Sequence, residues 1–215
     1  EGALRDYSAA GLETEDRWLA ITARRLGSID QDSLDERARI DRDVALAQIR
    51  FLLHQHRLRR YQQRALDTYV VEPFRAVDWQ VQQRAGGDGT EADGARWAPV
   101  VRRLRAVPGF LSAAQEQLTA GVRSGNTPDW RMLVRDGLDG SDASARYFAE
   151  TLPALVTERL DGPSHEQLRT DLRAAATDAS AAYRRFRAFL VATFFDAGGT
   201  SVKPAFAGDR YAVGL

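Results

Sequence analysis

The chain has no cysteine. A disulfide scaffold, a zinc–thiolate site and a cysteine nucleophile are therefore all excluded. Lysine is nearly absent as well. Lys203 is the only one among 30 basic residues, so 29 are arginine. With abundant alanine, this usage fits a GC-rich bacterial coding sequence. It also leaves one candidate for Schiff-base chemistry, and Lys203-Pro204 in a Gly/Ser/Thr-rich stretch reads as an ordinary loop lysine. Net charge is missing too: 30 acidic residues balance the 30 basic ones. Bulk electrostatics therefore recruits neither nucleic acid nor an anionic membrane. No apolar run approaches the ~20 residues of a membrane helix; the longest, 186–195, is interrupted by Arg187. No secretory signal opens the chain, which points to the cytoplasm, although it begins at Glu1 and not at methionine.

Strand signals are also lacking. No alternating β-branched runs flank an Asn-Gly or Asp-Gly turn. What is present is a globular composition, 44% apolar and 28% charged over 215 residues, with helical periodicity nearly throughout. Residues 14–26 predict a short helix carrying Trp18, Leu19, Ile21 and Leu26, stopped by Gly27. Ser33-Leu34-Asp35-Glu36 reads as a capping box opening a long helix to about Thr68. Its rows Ile40, Val44, Ala47, Phe51 and Ala45, Ile49, Leu52, His56 predict one wide buried stripe. Glu72-Pro73 predicts a break.

The glycine-rich segment 85–94 is a loop and a possible internal boundary. Trp97, Val101, Leu104 and Val107 then mark one helix, and Pro108-Gly109 separates it from another carrying Leu111, Ala114, Leu118 and Val122. Thr127-Pro128 reads as an N-cap followed by proline at the first helical position, ahead of Trp130, Leu133, Val134 and Leu138. A further helix after Gly140 holds Tyr147, Phe148, Leu152 and Leu155, interrupted at Pro153. Ser164-His165-Glu166-Gln167 is a second capping box. It launches the clearest pattern: Leu168, Leu172, Ala175, Ala179, Tyr183, Phe186 and Leu190, at steps of three and four. Gly198-Gly199 ends that helix. Asp209 would cap a last one that has barely begun when the chain stops, which suggests truncation. The expectation is an all-α chain, 1–215, of seven or eight antiparallel helices.

Candidate chemistry is sparse. His54 and His56 are two apart, so on a helix they point about 200° from each other and cannot share a metal. One faces the core and the other solvent. His165 has no acidic or histidine partner in sequence. No His-Glu-x-x-His, P-loop, nucleophile elbow or Gly-x-Gly-x-x-Gly pattern occurs; Gly86-Gly87-Asp88-Gly89 lacks the spacing. Arg57, Arg59, Arg60 and Arg64, like Arg102, Arg103 and Arg105, read as solvated or ion-paired arginines. Asp41/Asp43 and Glu13/Asp16 read as helix-surface charges. Trp97, Trp130, Tyr183, Phe186 and Phe194 read as core. No catalytic, cofactor-binding or metal-binding residue is assigned.

Several segments together carry a resemblance: Ile40-Asp41-Arg42-Asp43-Val44, Glu72-Pro73, the stretch from Val101 through Pro108-Gly109-Phe110-Leu111 to Gly121, Thr127-Pro128, and Phe206-Ala207-Gly208-Asp209-Arg210-Tyr211. From about Leu34 onward the chain resembles the N-terminal portion of the bacterial domain of unknown function 885 family. The resemblance implies a much longer, largely helical protein, similar to gluzincin-type zinc metallopeptidases, with its His-Glu-x-x-His helix downstream. It implies that zinc belongs to the missing C-terminal part and none to this chain. This chain would then be a helical lobe walling a substrate channel, inactive alone. Its partners would be that C-terminal part or a second chain, and a peptide-like substrate. The alternative is a free-standing helical interaction or ligand-binding module. A half-domain should expose a large apolar patch, whereas a self-contained bundle should not.

Overall fold

The computed structural model describes residues 3–83, 92–160 and 163–195. It is all-α, and among the described residues there is no strand. Six long helices account for it: α1 (Ala9–Gly27), α2 (Glu36–Arg57), α3 (Leu66–Gln83), α4 (Ala92–Ser124), α5 and α6 (Glu166–Phe194). The fifth, α5, spans 130–159 and is one continuous rod of five segments: Trp130–Met132, Leu133–Asp139, Gly140–Arg146, Tyr147–Thr151 and Leu152–Arg159. The second and fourth of these are π-helical. The expected seven or eight helices are thus corrected to six. The glycine-rich segment falls mostly on residues 84–91, outside the described ones, as do Lys203, Gly198-Gly199 and the Asp209 cap.

The count differs because proline does not break these helices. Pro73 lies inside α3, and Pro99 and Pro108 lie inside α4. Proline removes one backbone donor and crowds the preceding turn, a cost of about 3 kcal/mol in an isolated helix. The carbonyl that loses its helical donor to Pro73 is that of Tyr69, four residues earlier, and the neighbouring carbonyl is bonded from another helix. The Tyr183 hydroxyl, on α6, donates to the Val70 carbonyl at 2.7 Å, in the turn just before Pro73. Pro73 itself is buried. In α4 the apolar face continues through Pro108: Val100, Leu104, Val107, Leu111, Ala114 and Leu118 are all buried. Burying each such side chain contributes about 1.5–3 kcal/mol, which favours one long helix over two short ones.

A break that the periodicity did not reveal separates α2 from α3. Arg60 adopts a left-handed conformation, φ 45°, which is strained for a non-glycine residue. Asn126 holds it there, its side-chain amide donating to the Arg59 and Arg60 carbonyls at 3.2 and 2.9 Å. A Cβ at Gly121 would stand 2.6 Å from the Asn126 carbonyl oxygen and closer still to that of Gln63. Glycine there lets the turn between α2 and α3 lie directly on α4.

The caps also shift. Asp35, not Ser33, caps α2, accepting from the Ala38 N–H at 2.8 Å. Asp129, not Thr127, caps α5, accepting from the Arg131 and Met132 N–H groups; Thr127 is buried instead. At α6 the cap position is His165, and its side chain makes no capping hydrogen bond. α1 starts earlier than expected, on Ser8, whose hydroxyl accepts from the Gly11 N–H.

One apolar cluster joins α3, α4, α5 and α6. The α6 stripe is buried as its spacing predicts, from Leu172 through Leu190, with Leu168 half-buried. The π-helical turn of α5 brings Gly137 against α6, where a Cβ would meet Leu190 Cδ1 at 2.9 Å. Trp97, Tyr183, Phe186 and Phe194 are core residues as expected, whereas Trp130 and Trp18 are exposed. α1 and α2 pack chiefly on each other, as a hairpin with Leu19, Leu46 and Ile49 between its arms.

Removing the Tyr183 hydroxyl takes away the buried bond by which α6 holds the Val70 carbonyl of α3. Tyr183→Phe is expected to lower unfolding stability by about 1–3 kcal/mol, read by urea denaturation. An unchanged midpoint would show that this bond between α6 and α3 adds nothing to stability.

Candidate functional site: a groove along α3 and the polar latch at its end

The two faces of α3 differ. Leu66, Tyr69, Val70, Val77 and Val81 point into the bundle and are buried. Thr68, Glu72, Arg75, Trp79 and Gln82 recur at steps of three and four on the outer side, with Asp78 beside Trp79. Together with Arg103 of α4, they line an open groove of about 1090 Å³. Trp79 is 66% exposed, a large apolar surface standing in a charged setting. Arg103 is anchored by its Nη1, which donates to the Ala76 carbonyl at 2.8 Å. Asp78 accepts from the Tyr147 hydroxyl at 2.9 Å, tying the groove floor to α5. The Tyr147 phenol is pushed up by burial and by this bond to Asp78.

At one end of the groove, Glu72 belongs to a polar network that fastens the α1–α2 hairpin to the bundle. Its hub is Arg5. The Arg5 guanidinium reaches Glu15 at 2.8 Å and His56 Nε2 at 2.8 Å, and lies 4.9 Å from the centre of the Tyr7 ring. The Arg5 backbone N–H donates to Glu72 Oε1 at 3.4 Å, and the Tyr7 hydroxyl donates to Oε2 at 3.3 Å. A guanidinium can only donate, so His56 Nε2 accepts. The Nδ1–H of His56 therefore donates to Asp16 Oδ1 at 2.8 Å. Asp16 also binds Arg57 Nε at 2.9 Å. Tyr7 packs edge-on against Tyr69 and Phe110, at 5.1 and 5.5 Å, and its carbonyl accepts from the buried Gln117.

The two carboxyls are shifted in opposite directions. Burial raises Glu72 above its ordinary value, and the donors Arg5 and Tyr7 only partly offset it. Burial acts upward on Asp16 too, but the hydrogen bonds from Arg57 and His56 outweigh it, so its value is lowered.

His56 is core-facing and His54 solvent-facing, as their spacing predicts. Asp16 is not a plain surface charge: it is the acceptor that fixes the His56 tautomer, with its side chain 18% exposed. Glu13 is a surface charge, paired with Arg17, and Asp43 pairs with Arg42. Arg57 and Arg105 are ion-paired, the latter with Asp171. His165 is buried at the start of α6. The α3 groove carried no readable signal, because taking Pro73 as a break divides its polar face into two short pieces. Among the described residues, no three His, Asp or Glu side chains are placed to hold a metal ion. Among the described residues no histidine or lysine lines the groove, and the Thr68 hydroxyl is bonded to that of Tyr61. The arrangement can bind and orient a ligand; it contains no nucleophile–base pair. Nor do these residues fit a catalytic zinc ion, which needs three protein ligands.

The model of the family described as bacterial protein of unknown function (DUF885) matches residues 1–215. The chain belongs to this family. No curated protein matches the chain, and no solved structure matches it. Among the described residues of this DUF885 chain, no helix is long and apolar enough to cross a membrane.

The opposite shifts give opposite pH dependences. A raised carboxyl pKa means that the folded state holds its proton more tightly, so stability falls as pH rises above the unfolded value near 4.5. A lowered one contributes stability above 3.8 that is lost on acidification. Glu72→Gln should therefore gain on the wild type, and Asp16→Asn should lose, as pH is raised from about 3 to 7. Thermal melts across that range check both; parallel curves for the two variants would contradict the assignment.

Proposed function

We propose that this chain is the helical wall of a substrate cleft in a larger metal-dependent, peptidase-like hydrolase, and that the α3 groove is the part of the wall that meets the substrate. The observation carrying this reading is the groove itself. Arg75 and Arg103 supply guanidinium groups for a peptide carboxylate or carbonyl. Asp78 and Glu72 supply acceptors, and Trp79 supplies an exposed aromatic surface for an apolar side chain. Family membership supports the reading at the level of the family, and the zinc of the resemblance would come from residues other than these. Zinc would supply polarisation of the scissile carbonyl and activation of water. The residues of this chain would position the peptide and restrict which peptides enter.

The second reading is a free-standing helical interaction module without catalysis, although the exposed apolar residues on α2 are what a half-domain would show. The two separate on the intact protein. A peptide library should be hydrolysed, hydrolysis should stop with a chelator and return with zinc, and the 215-residue chain alone should hydrolyse nothing. In the intact enzyme, Arg75→Ala should raise KM about 10-fold or more, the worth of a charge-assisted hydrogen bond, with kcat nearly unchanged. An intact protein that binds no metal and cleaves no peptide would leave the interaction module as the answer.

A further inference from the structure

The α2 helix is apolar on two opposite faces. Leu46, Ile49 and His56 are buried, on the side that packs against α1. The row Ile40, Val44, Ala47 and Phe51, expected to be buried, lies on the other side and is covered by none of the described residues. Ile40, Val44 and Phe51 are 56%, 63% and 52% exposed. At about 100° per residue these four positions fall within a strip some 60° wide, and a contiguous exposed apolar strip of this kind marks an interaction surface.

The charges beside the strip identify the occupant. Along one flank, in order, stand Glu36, Asp43, Arg50 and His54, all exposed. Arg39, also exposed, stands beside the two carboxylates, so the first half of the flank is net acidic and the second half basic. A segment with this polarity is complementary to itself when reversed. We propose that α2 is a homodimerisation helix, packing antiparallel on α2 of a second copy about a two-fold axis near Ala47. In an antiparallel pair the same flanks meet. Asp43 then faces Arg50 of the partner subunit, and Arg50 faces the partner's Asp43, an isologous contact closed by symmetry. The same register sets Glu36 opposite the partner's Arg57 and Arg39 opposite the partner's His54. The Ile40–Phe51 strips interdigitate between these charges. Asp43 is already paired with Arg42 at 2.9 Å but stays 66% exposed, so its carboxylate is open to a second guanidinium. The proposal rests on α2 alone and is independent of the function proposed for the α3 groove.

Four apolar side chains per copy make a small interface, so the dimer is expected in the micromolar range. Sedimentation velocity of the protein from about 1 to 300 µM should show a monomer–dimer equilibrium. Ile40→Glu should weaken it at least tenfold. Asp43→Arg and Arg50→Asp should each weaken homodimerisation, because like charges then meet twice. An equimolar mixture of the two should form a heterodimer, because both contacts between positions 43 and 50 are again of opposite sign. All these residues are exposed, so the variants should fold, which circular dichroism checks. The chain has no native cysteine, so Ala47→Cys should form an intermolecular disulfide under mild oxidation while Ser28→Cys should not. A monomer at every concentration would overturn the proposal. So would a dimer indifferent to Ile40→Glu, or charge variants whose mixture does not associate.

Discussion

The structure depends on α3 running unbroken through Pro73. A proline in mid-helix ordinarily ends the helix at the residue before it. Here the helix continues, and in the adjoining turn the Tyr183 hydroxyl, itself fully buried, donates to the Val70 carbonyl and pins α3 to α6. That single bond spans 113 residues of sequence and joins the third helix to the last. With α3 intact, one of its faces fills the core and the other presents a charged row. Were α3 broken at Pro73, Glu72 and Asp78 would belong to separate elements, and the groove between them would not exist.

The same helix fastens the α1–α2 hairpin. Glu72 receives the Arg5 backbone and the Tyr7 hydroxyl, while Arg5 reaches out to Glu15 and His56. A half-buried carboxyl is costly to ionise, and a buried histidine between an aspartate and a guanidinium has only one workable tautomer. Such networks add specificity more than stability when fully satisfied. In this case the network sets where the hairpin projects, and thus where the second apolar face of α2 is displayed. The groove and the α2 strip are separate surfaces, connected through Arg5 and Glu72.

How much of this was legible follows from what periodicity encodes. The α6 stripe from Leu172 to Leu190 was readable because a single face packs against several helices. The opposed roles of His54 and His56 followed from the 200° between them. Other features depend on tertiary partners that a sequence does not name. Nothing local to Pro73 announces Tyr183, and nothing near Arg60 announces Asn126. Periodicity marks Ile40, Val44 and Phe51 as an apolar face without saying what covers it, so a face open to solvent was read as core. The caps shifted for a similar reason: Thr127 and Asp129 are both good capping residues, and the burial of Thr127 decided between them.

The central claim is that the outer face of α3 is where this protein meets its substrate. Hydrogen exchange of the intact protein with and without a saturating mixture of short peptides tests it most directly. The account predicts added protection concentrated at 71–82 and around Arg103, with α6 unchanged because its amides are already deep in the core. Peptide-dependent protection confined to helices away from α3, with none at 71–82, would contradict it.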